Sequence, residues 1–319
     1  NNRIVGQEYP HYIALDFSPD HRARRIVDRL KGLTGATVED MASIHSEIVS
    51  IPARVYARRI ADAPPLGDPS AEARDRLAGW DGAMDKEAIP PTIYSAFRNR
   101  LHRRLVGGIL GPLAEKAGVA TGRGASGHLR HLASRLVNDA LDDDTSLLPE
   151  GSDWNSVIEL ALAQGVEDLK SELGTDMDSW TWGSVHYSKP FHPLSSSFPE
   201  AAGLLDPPSV PMSGDGDTPH AAGYSEVAPY TVTSTSVARY VWDTADWDNS
   251  RWIVPLGSSG HPGSRHFADQ TRLWGRVELI RATYSWDKVE AEAESAQSLV
   301  PTGSGRATGG RTYQGSHQQ

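Results

Sequence analysis

The sequence predicts an α+β fold in which a helical excursion interrupts a sheet. Three observations carry this. The first residues read as extended chain, a long middle stretch carries three-and-four apolar spacing, and period-two alternation returns near the C-terminus. The chain of 319 residues has apolar content enough for a buried core. The segments divide as 1–17, a core sheet segment; 18–174, helical; 175–301, loops and strands returning to the sheet; and 302–319, a flexible tail. All belong to one domain.

The opening "NNRIVGQEYPHYIALDFS" mixes aromatic and β-branched residues, with Gly6 and Pro10 as punctuation and no helical period. Ser18 before Pro19 and Asp20 then reads as an N-cap with proline at the first helical position. The helix "DHRARRIVDRLKG" follows, with Ile26, Val27 and Leu30 expected inward. Thr37 with Asp40 forms a capping box, with Asp in place of Glu. It opens a second helix in which Met41, Ile44, Ile48, Ile51 and Val55 share a face and Pro52 kinks or interrupts the run. "SAEARDRLAGW", "PTIYSAFRNRLHRRLVGGIL", "GHLRHLASRLVNDAL" and "WNSVIELALAQGVEDLKSEL" give four more helices. The basic run "RNRLHRR" reads as a solvated face.

After Gly174 the composition turns to Pro, Ser, Gly and aromatics, as in long ordered loops. "YTVTSTSVARYVWDT", "SRWIVPLG" and "RVELIRATYSW" read as strands, and "DKVEAEAESAQSLVP" as a short acidic helix. From Thr302 no core-forming pattern remains.

The net charge of −10 argues against a phosphate-backbone binder, so no nucleic-acid partner is expected. No run of about eighteen apolar residues occurs, so no membrane-crossing helix is expected. The absence of cysteine excludes thiol catalysis, disulfides and Cys-ligated zinc. His186, His192, His220, His261 and His266 fall in the loop-rich last third without a helical ligand pair, and His128 and His131 lack an acidic partner in register. They read as hydrogen-bonded loop histidines. "SGDGDT", Ser213 to Thr218, fits either a calcium loop or a turn held by Asp side chains on local amides. Ser259, His261 and Asp269 make a triad on paper, a match that many serines and aspartates make cheap.

Several stretches in order resemble the landmarks of the penicillin acylase family of N-terminal-nucleophile amidohydrolases: "NNRI" then "YP", "RARRI", "TVEDMASIHSEIVS", "LAGWDGAMD", "WTWGSVHYSKPFHPL", "SGDGDT" and "PLGSSGHPGSRHFADQTRLW". The resemblance runs from Asn1 to about residue 300 and is to the later part of a β subunit. It implies part of an αββα sandwich and cleavage of an acyl group from an amide, with a small-molecule amide as substrate. It also implies a precursor that cuts itself, so that the partners are an α subunit and the N-terminal part of the β subunit. The nucleophile, an N-terminal Ser whose own amine is the base, is expected outside these residues. The last loop is similar to a structural landmark, with Gly257, Gly260 and Gly263 making turns and Asp269 anchoring the chain.

Two roles carry over by resemblance. Asn1 matches the asparagine whose side-chain amide meets the oxyanion. Arg22 fits best the arginine that the family places near the site, with Arg24 and Arg25 next in line. The resemblance implies no cofactor for catalysis. It does imply a structural calcium, for which Asp16 is the ligand candidate, with Glu8 and Asp20 the other acids nearby. It implies a periplasmic or secreted location. The alternative of a different class is a non-catalytic binding or structural subunit that keeps the fold.

Overall fold

The structure, a computed structural model, describes residues 2–14, 17–64, 70–116, 136–224 and 229–299. Asn1, Asp16, His128, His131 and the tail expected over 302–319 lie outside the described residues.

Two long helices form the centre. One, α5 (Pro90–Leu110), starts on a proline pair and stops where Gly111 takes φ 49° and donates its N–H to the Gly107 carbonyl. The other, α6 (Trp154–Leu173), starts from a capping box in which the Asp153 side chain accepts from the Ser156 N–H and the Ser156 hydroxyl accepts from the Asp153 N–H. It stops at Gly174, φ 88°. The two pack closely because Gly165 leaves room for the Ala96–Phe97 backbone, which a Cβ at Gly165 would meet at 2.9 Å. Phe97, Leu101, Leu105, Ile158, Leu162 and Leu169 are fully buried here, each a burial worth about 1.5–3 kcal/mol. Arg100 and Asp168 join the same helices by a two-pronged ion pair.

Shorter helices surround this pair. α1 (His21–Lys31) buries only His21. Contrary to expectation, its cap is Asp20, without a side-chain capping bond, and Val27 and Leu30 are exposed. The cause is that α1 meets the body through charged side chains, described below. α2 (Val38–His45) opens with the expected Thr37–Asp40 box. The single helix expected through Val55 is two, for α3 (Ile51–Asp62) begins afresh from an Ser50 cap with Pro52 in its first turn. The break lets residues 48–50 pair with 82–84: Ser50 donates to the Gly82 carbonyl at 2.9 Å and Met84 donates to the Ile48 carbonyl at 2.9 Å. α4 (Ser70–Leu77) closes against α3, α5 and α6.

The last third folds over the end of this bundle. β1 (Tyr187–Ser188), β2 (Val210–Pro211), β3 (Ala222–Tyr224) and β4 (Val232–Thr235) form one sheet in the order β2-β1-β4-β3. β5 (Arg239–Val241), β6 (Arg251–Ile253) and β7 (Ile280–Arg281) form an antiparallel sheet. The stretch expected as one strand, "YTVTSTSVARYVWDT", therefore serves two sheets, breaking between Thr235 and Arg239. α7 (Thr271–Gly275) and α8 (Trp286–Glu292) follow. Trp182 ties the third to the bundle. Its N–H donates to the Ala88 carbonyl, its Nε1–H donates to Gly214, and its ring stacks on His186 at 4.1 Å.

Among the described residues, the segment expected to enter the core sheet pairs with no strand of this chain. The described residues 2–14 form no strand, and the sheets contain nothing from them. Ile4, Tyr9, Tyr12 and Ile13 are exposed, since these residues find no strand neighbour within the described chain. The segment is extended, as its composition requires, and unpaired.

Candidate active-site edge

Of the site candidates, Arg22 lies in the first turn of α1, where that helix follows the N-terminal segment. "SGDGDT" is the piece beneath it. Gly214 takes φ +85° and donates its N–H to the Met84 carbonyl at 2.7 Å. The Asp215 N–H donates to Thr218 Oγ1 at 2.9 Å, the Asp217 N–H donates to Asp215 Oδ1 at 2.7 Å, and the Thr218 hydroxyl reaches the His220 carbonyl at 2.8 Å. The loop is thus a turn held by Asp and Thr side chains on local backbone groups. What remains of its charge faces protein groups. Arg98 Nη1 stands 2.8 Å from Asp217 Oδ2 and 3.9 Å from Asp215 Oδ2. His21 Nδ1 lies 3.2 Å from Asp217 Oδ1.

Burial favours the protonated form of both aspartates. At Asp217, Arg98 and the His21 hydrogen bond overcome it and hold the carboxyl well below the usual range. At Asp215, burial and the neighbouring Asp217 charge prevail over Arg98 and push the carboxyl up.

Arg98 corrects the reading of "RNRLHRR" as a solvated face. Its side chain is only 19% exposed. The signal was present in the spacing: Tyr94, Arg98, Leu101 and Leu105 follow one another by four, three and four, so Arg98 shares the apolar face. A charge in that register is buried and paired.

The three arginine candidates are separated by their partners. Arg24 is exposed beside Asp20 at 3.9 Å. Arg25 donates to Glu47, which is buried and also accepts the Val49 N–H. Arg22 is partly exposed and, among the described residues, forms neither ion pair nor hydrogen bond. It is the cation of the three free to meet a ligand.

The other sites resolve differently. Asp269 Oδ2 faces His266 Nδ1 at 2.7 Å, and His261 Nδ1 accepts the Gly263 N–H, so Ser259, His261 and Asp269 make no triad. Asp269 anchors the loop, as expected. Gly257 is required by close approach, since a Cβ there would collide with the His266 carbonyl. His186 Nδ1 bonds the Tyr230 carbonyl at 2.5 Å and His192 accepts from the Leu194 N–H, both structural bonds. Among the described residues no three His, Asp or Glu side chains converge on a metal position. Glu8 is exposed and Asp20 is beside Arg24. These described residues do not build a calcium site by themselves.

The helical bundle with two small sheets is an α+β architecture shared with a solved penicillin G acylase from Alcaligenes faecalis. The match has TM-score 0.54 and 16% identity, covering 95% of this chain and 56% of that one. The chain belongs to the penicillin amidase family, whose model matches residues 1–291. It is 36% identical to the penicillin acylase 2 proenzyme of Pseudomonas sp. (strain SE83) over 305 residues, 94% of this chain and 38% of that protein. It is 28% identical to the acyl-homoserine lactone acylase QuiP of Pseudomonas aeruginosa over 234 residues, 68% of this chain and 27% of that protein. The chain thus spans well under half the length of these relatives.

Proposed function

We propose that these residues are the later β-subunit part of an amidohydrolase that transfers an acyl group from an amide nitrogen to a serine and then to water. The nucleophile is an N-terminal serine carried by another segment of the same precursor. Its α-amine, with an ordinary pKa near about 7.7–8.0, takes the hydroxyl proton as the Oγ–carbon bond forms. The same proton goes to the leaving amine as the amide bond breaks, and water then releases the acid from the acyl-enzyme. Asn1 donates its side-chain amide to the oxyanion, and Arg22 stands beside the site. Asp16 contributes one ligand to a calcium shared with partner segments. The protein works in the periplasm or outside the cell. The names of the relatives favour an N-acylated small molecule as substrate, either a β-lactam amide or an acyl-homoserine lactone.

The observation that carries this reading is the match over residues 1–291, to which the unpaired segment 2–14 adds a physical reason. An extended stretch with Ile4, Tyr9, Tyr12 and Ile13 in solvent offers apolar side chains and unpaired backbone to a sheet that other segments of the precursor would supply. A second apolar face, Tyr240, Trp242, Trp247 and Tyr284 on and beside β5 to β7, is also exposed and calls for cover. The test is to produce the full-length protein and look for two processed polypeptides, the larger beginning with serine. A phenylacetylated chromogenic amide and an acyl-homoserine lactone are then offered. Release of amine from either supports the proposal. A processed, folded protein that cleaves neither, or a larger polypeptide without N-terminal serine, refutes it.

A further inference from the structure

Asp217 belongs to the loop, Arg98 to the core helix α5, and His21 to the first turn of α1. One carboxylate reaches both partners, at 2.8 Å and 3.2 Å. We propose that Asp217 is a positioning residue for the active-site edge: by gripping His21 and Arg98 together, it fixes where α1, and with it Arg22, sits on the helical core. The assignment of Arg22 to the site rests on the function proposed above.

The manner in which α1 is held makes this grip decisive. Apolar burial is non-directional, so a helix held by it alone can shift along its groove. α1 has little of it, with Val27 and Leu30 exposed and only His21 buried. Its other holds are Arg25 on Glu47 at 3.0 Å and Arg29 on Ser43 at 2.8 Å, both toward α2 and the chain that follows it. The His21 contact ties α1 to the bundle, through Asp217 and Arg98 of α5. Charge-assisted hydrogen bonds fix direction as well as distance.

Both sides of the grip are rigid before α1 arrives. Arg98 extends from a helix whose Tyr94, Phe97 and Leu101 are fully buried. The loop is held by the Gly214, Asp215 and Thr218 bonds, which do not involve α1. His21 and Arg22 are consecutive, with Cα atoms about 3.8 Å apart, so any displacement of His21 passes to Arg22. A misplacement of about 1 Å in a positioned group can cost on the order of a hundredfold in rate.

The test uses the full-length processed enzyme with Asp217→Asn and, separately, His21→Gln, which leaves the Arg98–Asp217 pair intact should the first variant fold poorly. Amide hydrogen exchange and steady-state kinetics are read on each. The expected result is at least tenfold faster exchange over 17–31, unchanged exchange in α5 and α6, and kcat lowered at least tenfold with KM within threefold. The double variant should lose little more than Asp217→Asn alone, because both act through one contact. Unchanged exchange over 17–31 overturns the proposal. So does equal loss of protection in α5 and α6, which would make Asp217 a general stabiliser, and so does a loosened α1 with unaltered kcat. A wild-type enzyme that cleaves no amide would sink the functional reading instead, and the exchange data would still decide the anchoring.

Discussion

Gly165→Ala is the substitution whose sign two opposed effects decide. The position lies inside the 20-residue helix α6, where alanine is favoured over glycine by about 1 kcal/mol. Against this, the new Cβ would stand 2.9 Å from the Ala96 carbonyl carbon, 2.9 Å from the Phe97 nitrogen and 3.2 Å from the Ala96 oxygen. Carbon contacts relax only at about 3.5–4.0 Å. The obstacle is helix backbone, so no side chain can swing aside and α5 and α6 must part by roughly 0.6–1 Å. A gap of that size forfeits about a quarter to a half of each dispersion contact along the seam. Overpacking of this kind costs about 1–3 kcal/mol, and a rigid obstacle puts it at the upper end. The net loss is about 2 kcal/mol, a fall in Tm of about 3 °C for a cooperative unit of 319 residues and less for the larger full-length protein. Calorimetry of the full-length protein measures it, with Gly107→Ala as the opposite control. Gly107 lies in α5 with nothing within 4 Å of its would-be Cβ, so that change should raise stability by up to about 1 kcal/mol. A Gly165→Ala protein that melts at or above the wild-type temperature would refute the close-crossing argument.

Three further outcomes are expected. Asn1→Ala in the full-length enzyme should lower kcat about a hundredfold or more with KM within a few-fold; a lowered Tm with unaltered kcat would make Asn1 a turn residue instead. Gly214→Ala should destabilise the Asp-held loop, since φ is +85° and the His220 carbonyl blocks the new Cβ; the measurement is Tm, and no change would contradict the geometry. Burial holds His186 down to about 4 and His102 and His220 down to about 3. All three are neutral in the fold and take up protons on unfolding below about 6.5. Their contribution is therefore present above pH about 6.5 and is lost as pH falls through their folded values. Tm should drop steadily from pH 6.5 toward 4, a window above the one in which Asp217 is lost, and His186→Gln should flatten the slope; a level Tm over that range would show that these rings are not neutral and buried as described.

The sequence revealed those features whose physical cause is local. The Thr37–Asp40 box lies within four residues and was read correctly. The long helices announced themselves by spacing, and their glycine stops followed. The break between α2 and α3 was seen only as Pro52, because its cause is pairing with residues 82–84, some thirty positions on. Val27 and Leu30 misled because α1 is docked largely by charge, so that of its expected inward positions only Ile26 is half-buried. Arg98 was misread when the basic letters around it outweighed its register with Tyr94 and Leu101. Asp217 was legible as a turn residue and illegible as a partner of His21, since nothing short-range links them.

That last contact spans 196 positions, and the span has a consequence for how the chain is made. With synthesis at about 5–20 residues per second, roughly 10–40 s separate the appearance of His21 from that of Asp217. During that interval α5 and α6 are both made and can pair, since local partners meet at small entropic cost. α1 has no anchor on the bundle until the loop emerges. The edge with Ile4, Tyr12 and Arg22 thus stays loose on the ribosome through that interval, open to chaperones and proteases. It is set in place only after the core that must support it has already been built.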